Sequence, residues 1–151
     1  MLLSDYILPC LYAFFACLGF CFLFNVRGRG MLICCFGGLL GWAIYLLTGP
    51  LVRSDMLQCF LAAVGIAVFS ELMARLRHCP ATVYLLLAMF PLVPGRGIYL
   101  TMLYCIQGDT ALFLSSLLHT LGLAGCLAVG AMLVSAVVRL YRSFVAARAI
   151  R

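Results

Sequence analysis

The sequence predicts an all-α polytopic membrane protein with about five transmembrane helices. Hydrophobic residues make up 67% of its 151 residues, charged residues only 9%, and its mean hydropathy is +1.22. Apolar runs of about 20 residues recur, and each is long enough to cross about 30 Å of hydrocarbon as a helix. We therefore expect one integral-membrane domain over residues 1–151. The N-terminus lacks a basic region and a small-residue cleavage site, so the first run is expected to be retained rather than cleaved as a signal peptide.

Polar or helix-breaking segments separate the apolar runs. The first run ends at a turn that contains Arg27 and Arg29, and the second ends at Thr48, Gly49 and Pro50. The third run ends in an arginine-containing turn before Pro80, and the fifth leads into a basic tail. The predicted spans cover residues 5–24, 31–48, 56–75, 81–107 and 110–138.

The fourth run is longer than one straight span needs, and the stretch PLVPGRG at 91–97 interrupts it. Pro91 and Pro94 each remove a backbone donor, and each disfavours helical geometry in the residue before it. In hydrocarbon, an uncapped break leaves polar backbone groups unpaired, at a cost of several kcal/mol each. Such breaks persist where protein or water satisfies them, and in transporters that place is the substrate or ion pathway.

The arginines predict the orientation of the helices. All ten basic residues are arginine, and most of them lie at helix ends. The first loop, the third loop and the C-terminal tail together carry eight, the second loop carries Arg53 beside Asp55, and Arg96 lies within the fourth run. The positive-inside rule then places the N-terminus outside and the C-terminus in the cytoplasm. The same bias predicts that the broken fourth run crosses once, since a re-entrant hairpin would put the tail arginines outside.

Small residues on two predicted helices are candidates for helix packing. Gly37 and Gly41 form a GxxxG pair, which lets another helix approach closely, although glycine is also common in membrane helices by chance. Gly122 and Gly125 are the corresponding candidates on the fifth span.

Three linked elements resemble one membrane protein family. SELMAR at 70–75, CPATVY at 79–84 and PLVPG at 91–95 are similar to the C-terminal half of the threonine/serine exporter family. The resemblance covers nearly the whole chain and includes Tyr99, Thr101 and Met102 as well as the turns at 24–26 and 107–109.

The resemblance implies a small C-terminal-half subunit of an exporter in the bacterial inner membrane. In this family the two membrane halves are either fused or encoded as separate subunits. The implied substrates are threonine and serine; the chain is also similar to the small subunit of a bacterial succinate exporter, so a small dicarboxylate is the alternative. A non-transporting assembly subunit is a further alternative. Five spans suggest a second, inverted five-helix half or a homo-oligomer as partner.

Substrate binding is predicted at the break. A helix that begins near Gly95 directs free N–H groups and its positive dipole end towards the break, where they favour an anion. Arg96 would add a bidentate donor for a carboxylate, or it would serve only to pair with carbonyls at the break or with an acid of a partner. The family usually has a small or apolar residue at this position. The predicted substrate-binding residues are Pro91, Pro94, Gly95, Arg96, Gly97, Tyr99 and Thr101.

Three titratable residues are candidates for proton coupling. Glu71 lies four residues before Arg75 on one helix face, which fits either an interfacial ion pair or a proton site near the membrane. His119, with Ser115 and Ser116 one turn before it, fits either a hydrogen-bonded packing residue or a proton relay. Asp109 in the short fourth turn is the third candidate.

Other classes of function are not supported by the sequence. Glu71 and Arg75 match the ExxxR element of some membrane proteases, but one glutamate and one histidine are too few to hold a catalytic water or metal. The nine cysteines include no CxxC and no cluster at metal-ligand spacing, so no metal, cofactor or disulfide framework is predicted. The net charge of +6 is spread over helix ends, which favours a topology signal over nucleic-acid binding.

Overall fold

The computed structural model describes the backbone of residues 2–149 and the side chains of residues 6–144, and this part of the chain is helical without strands. Four helices are long and apolar enough to span a membrane, and two shorter helices, bent by 54° at the break between them, are together long and apolar enough to be a fifth span. The prediction of an all-α membrane protein with a broken fourth span is confirmed. The helices are α1 Leu2–Leu23, α2 Arg29–Thr48, α3 Asp55–Arg77, α4 Ala81–Met89 with the 3₁₀ turn Phe90–Leu92, α5 Gly95–Gln107 and α6 Thr110–Ala149.

Helices α1, α2, α3 and α6 are longer than the predicted spans, whereas the broken run has the predicted outer bounds, Ala81 and Gln107. The largest difference is in α6, which continues as a helix to Ala149 whereas the prediction ended at 138. Hydropathy marks only the part of a helix that lies in hydrocarbon, and the backbone hydrogen bonds continue into the basic segment beyond it. The side chain of Asp5 and those of the tail residues Arg148 and Arg151 lie outside the described part.

The turn between α5 and α6 shows how the chain reverses. Gly108 ends α5 with a left-handed φ of 76°, and the N–H of Asp109 donates to the carbonyl of Tyr104 at 3.2 Å. Asp109 then caps α6, because its Oδ1 accepts from the N–H of Leu112 at 3.1 Å. α5 and α6 therefore form a tight helical hairpin, and α6 is the main neighbour of α5.

Contacts along α3 and α6 establish that these two helices run in the same direction. Asp55 at the start of α3 lies 3.8 Å from His119, and Glu71 near its end lies 3.8 Å from Arg142. The turn between α5 and α6 is therefore at the end of the bundle where α3 begins. We call this the α3-start end.

The broken span crosses the bundle once. Its first half starts after α3 has ended, with Tyr84 beside Gly30 in the first turn of α2. Its second half ends at Gln107, next to the start of α6 and hence at the α3-start end. The predicted single crossing follows from these contacts. The other end of the bundle carries the turns before α2 and α4 and the last described turns of α6, and we call it the arginine-rich end.

Small residues allow close packing at the middle of the bundle. Gly38 lies against the thiol of Cys17, and Gly41 lies against Ile66 of α3. Cys17 and Ile66 are fully buried. The α2 helix thus packs against α1, α3 and the broken span at once, and this positions the break.

We expect Gly41→Val to lower the thermal stability of the purified protein. A Cβ at Gly41 would collide with Ile66 Cδ1 and would lie 2.7 Å from Ile66 Cγ1 and 3.1 Å from Leu92 Cδ1. Overpacking of this kind costs about 1–3 kcal/mol. The melting midpoint in detergent measures the effect, and Gly125→Val is the matched control because a Cβ there meets nothing within 4 Å. Equal midpoints for the two variants would contradict the packing argument.

Candidate functional site

The first proline of the break removes a hydrogen bond that another helix replaces. In an unbroken helix, residue 91 would donate to the carbonyl of Leu87, but Pro91 has no N–H. The thiol of Cys17 on α1 donates to this carbonyl instead, at 3.3 Å. Both side chains are fully buried, so a donor from α1 satisfies a carbonyl that would otherwise be unpaired in the protein interior.

The second proline leaves backbone donors at the start of α5. The N–H of Gly95 donates to the carbonyl of Val93 at 2.7 Å, and the N–H of Ile98 donates to that of Pro94 at 3.1 Å. The N–H groups of Arg96 and Gly97 lie between them, in the first turn, where a helix supplies no carbonyl acceptor. These N–H groups point out of the N-terminus of α5, which is the positive end of the helix dipole.

The break opens on a cavity of about 560 Å³. All seven residues of the stretch 91–97 line it, together with side chains of α2, α3 and α6. It lies between the middle of the bundle, where Leu92 contacts Gly41, and the α3-start end, where His119 meets Asp55. The facing wall includes Trp42, Tyr45, Cys59, Ser116, His119 and Thr120.

Arg96 supplies the positive charge of this cavity. Its side chain is exposed, and the two ion pairs among the described side chains do not include it. No described carboxylate therefore lies within 4.0 Å of the guanidinium group. Arg96 and the neighbouring N–H groups form a site that complements a carboxylate in charge and geometry.

His119 also lines the cavity, and it reaches Asp55 across the boundary between α6 and α3. The distance from Nε2 to Asp55 Oδ2 is 3.8 Å, and both side chains are about half exposed. His119 lies nine residues after Thr110, about 14 Å along α6. Sequence reasoning treated Asp55 only as a charge that offsets Arg53; its place at the start of α3 brings it into contact with His119, which lines the cavity.

Thr120 and Ser116 provide the neutral polar groups of the wall. The hydroxyl of Thr120 donates to the carbonyl of Ser116 at 2.7 Å, so its oxygen remains available as an acceptor. Tyr99 and Thr101, which were predicted to bind substrate, do not line this cavity. Tyr99 is exposed, and the hydroxyl of Thr101 donates to the carbonyl of Gly97 at 2.8 Å, which holds the first turn of α5.

The three candidates for proton coupling lie apart from one another. Only His119 is at the cavity, while Asp109 caps α6 at the α3-start end. Glu71 lies near the arginine-rich end and pairs with Arg142 at 3.8 Å, whereas the helical spacing pointed to Arg75. The expected Glu71–Arg75 pair is not formed among the described side chains, because α6 packs along α3 and offers another arginine.

Trp42 is a site residue that sequence reasoning missed. It is the single tryptophan of the chain, it lines the cavity, and its ring lies 5.5 Å from that of Tyr45. Its indole N–H is buried without a hydrogen-bond partner among the described residues. A buried unpaired donor is costly, and here it belongs to a side chain that lines the cavity.

The four candidate packing glycines differ in their surroundings. A Cβ at Gly37 would lie 2.8 Å from that of Ala88, and one at Gly122 would lie 2.6 Å from the end of the Met56 side chain. Gly41 meets Ile66, as described above, whereas nothing lies within 4 Å of the corresponding position at Gly125. Among the described residues, no group of three histidine, cysteine or acidic side chains could hold a metal ion.

Comparison with known proteins identifies the family. No curated protein and no solved structure matches the chain. The sequence model of the family "Threonine/Serine exporter, ThrE" matches residues 9–137, which include all of α2 to α5, most of α1 and α6, and the whole cavity. This is a family of transporters, and the helical bundle is that of a multi-pass membrane protein. The chain belongs to the threonine/serine exporter family.

Proposed function

We propose that the chain is a subunit of a secondary transporter that exports threonine and serine across the bacterial inner membrane. The observation that carries this proposal is the cavity at the break, where Arg96 has no described carboxylate within 4.0 Å. The substrate carboxylate binds to Arg96 and to the free N–H groups of the first turn of α5. A membrane-embedded arginine needs such a partner, since placing it at the centre of a helix costs about 2.5–3.5 kcal/mol.

Groups at or next to the wall opposite Arg96 can bind the hydroxyl and ammonium groups of threonine or serine. Thr120 offers a hydroxyl oxygen as an acceptor for the hydroxyl group of threonine or serine. Asp55 is the acidic residue that contacts a lining side chain, His119, and it adds a negative charge for the ammonium group. A small dicarboxylate such as succinate is the alternative substrate, and its second carboxylate would be repelled by Asp55.

The bundle works together with a second membrane component. With five spans, the first span begins on one side of the membrane and the last span ends on the other. A second five-helix half of the same family would therefore be inverted relative to this one, as in many transporters. A homo-oligomer is the alternative assembly. The arginine-rich end faces the cytoplasm by the positive-inside rule, so the cavity lies towards the outer side.

Proton coupling is proposed at His119. It is the one titratable candidate that lines the cavity, and its pairing with Asp55 links α6 to α3. A change in its protonation alters the attraction between these helices where the substrate leaves. A transport rate that stays unchanged when the pH gradient is collapsed would contradict this step.

We expect cells that carry this chain together with an N-terminal-half subunit of the same family to export threonine and serine faster than succinate. The measurement is the efflux of each labelled compound from preloaded cells, with empty-vector cells as the control. Export of succinate alone would favour the dicarboxylate alternative and contradict the assignment of Asp55. Substitutions at Pro91, Pro94 and Gly95 separate a transport subunit from an assembly subunit. In a transport subunit, the variants can still assemble with the partner but fail to export. In a non-transporting assembly subunit, the variants lose assembly of the complex.

A further inference from the structure

A second cavity, lined in part by arginines, lies at the arginine-rich end, away from the break. Its volume is about 270 Å³, and it lies between the turn before α2 and the turn before α4. Arg27, Arg29 and Gly30 line one side, and Arg77 and Tyr84 line the other. We call it the arginine cavity. Neither the family assignment nor the proposed transport gives it a role.

The three arginines of this cavity have no carboxylate to neutralise them within the described part of the chain. Glu71, the nearest acidic residue in sequence to Arg77, pairs with Arg142. Asp55 and Asp109 are at the opposite end of the bundle, where they contact His119 and the first turn of α6. Three like charges around one small cavity repel each other, and an anion bound between them removes this cost.

Uncharged donors point to the same chemistry. Gly28, which precedes α2, provides no side-chain cap, so the first N–H groups of that helix remain available beside Arg29 and Gly30. Tyr84 is 4% exposed, and its hydroxyl lies 3.7 Å from the position that a Cβ of Gly30 would take. The cavity therefore combines three guanidinium groups, a phenol and a helix start, all of which are donors to phosphate.

The remaining walls distinguish a lipid from a dissolved anion. Val26, Cys79, Pro80 and Val83 complete the lining, and Val83 is also partly open to the surroundings of the bundle. The cavity lies where the hydrophobic helices end, which is the depth of the lipid headgroups. Basic pockets between helices at this depth fit anionic headgroups, and apolar walls below the arginines fit the glycerol and the start of the acyl chains.

We propose that the arginine cavity binds the phosphate group of an anionic phospholipid. The lipid joins the α1–α2 and α3–α4 turns, because its phosphate contacts arginines from both. The proposal is independent of which substrate the cavity at the break carries.

The test compares two double variants with the same charge change at the same end of the bundle. Arg29→Gln/Arg77→Gln removes two cavity arginines, whereas Arg75→Gln/Arg139→Gln removes two exposed arginines that do not line it. Native mass spectrometry of the purified full chain measures the retention of phosphatidylglycerol relative to phosphatidylcholine with the same acyl chains. We expect this ratio to fall about fivefold per arginine in the cavity variant and by less than about twofold in the control. Equal losses in the two variants would overturn the proposal, because they would indicate diffuse attraction.

Two further arms keep the test decisive if the glutamine variant is not recovered from membranes. Arg29→Lys/Arg77→Lys keeps the charge and the topology signal but removes the planar donor fork, and we expect a lower ratio than in the unmodified protein. Retention equal to that of the unmodified protein would contradict a built phosphate site. Inorganic phosphate at millimolar concentration should fail to displace phosphatidylglycerol; displacement would identify a free-phosphate site and overturn the lipid assignment.

Discussion

Replacing Arg96 by glutamine is expected to reduce export about 10- to 100-fold while the amount of protein in the membrane stays normal. Hydrogen bonds to a charged group contribute about 1.5–3 kcal/mol, and each 1.4 kcal/mol corresponds to a factor of ten. Arg96 is exposed to the cavity and has no described carboxylate partner, so the substitution leaves no acid unpaired among the described side chains. The loss should therefore appear in substrate binding and not in folding.

Two matched variants sharpen this prediction. Arg96→Lys keeps the charge without the bidentate fork, and we expect it to retain part of the export with a raised half-saturating substrate concentration. Arg53→Gln changes an exposed arginine that does not line the cavity, and we expect normal export. Normal export with Arg96→Gln would show that the arginine is structural and that the carboxylate binds elsewhere.

Local sequence chemistry predicted the break but not the groups that complete it. Pro91 and Pro94, followed by Gly95 and Gly97, indicate a helix break by themselves, because each proline removes a backbone donor. The replacement donor for the carbonyl of Leu87 is the thiol of Cys17, which is 70 residues away in sequence. No local pattern marks that cysteine, since its role depends on how α1 packs against the broken span.

The residues that face the break from other helices could not be predicted either, because their positions also depend on helix packing. Trp42 and Asp55 lie on α2 and α3, and their relation to the break is set by the packing of these helices. The expected partner of Glu71 was four residues away on its own helix, yet Arg142 of α6 occupies that place. Pairs four residues apart on a helix surface are weak, about 0.2–0.5 kcal/mol, so a neighbouring helix easily replaces one partner by another.

The two cavities lie at different levels of the bundle and differ in their charged groups. At the arginine-rich end, three arginines surround a small site with apolar walls at headgroup depth. Near the middle, a single arginine lies on a larger cavity with hydroxyl and imidazole groups. A small zwitterion needs the second arrangement, in which one charge and a few neutral donors suffice. An anionic headgroup, which arrives with a fixed orientation from the bilayer, suits the first.

Gly97→Ala is expected to reduce export at least about tenfold, and Thr120→Ala in the same chain is expected to restore part of it. The restored rate stays below that of the unmodified protein, because alanine at position 120 also removes the proposed acceptor for the substrate hydroxyl. A Cβ at Gly97 would collide with Thr120 Oγ1 and would lie 3.1 Å from Thr120 Cγ2. The Thr120 hydroxyl is held by its bond to the carbonyl of Ser116 at 2.7 Å, so it cannot turn away without losing that bond. Since α6 is the main neighbour of α5, the collision displaces the start of α5 and with it Arg96.

The double variant distinguishes the collision with Thr120 from any other effect of alanine at position 97. Alanine at position 120 removes Oγ1 and Cγ2 and leaves only Cβ, which is 3.3 Å from the new methyl group. Neighbouring substitutions that share one contact are non-additive, so the double variant should export better than Gly97→Ala alone. Gly125→Ala is the control on α6, because its added methyl group meets nothing within 4 Å and export should be normal. If the double variant exports no better than Gly97→Ala, the close approach of α5 to α6 does not set the position of Arg96, and the cavity at the break needs another explanation.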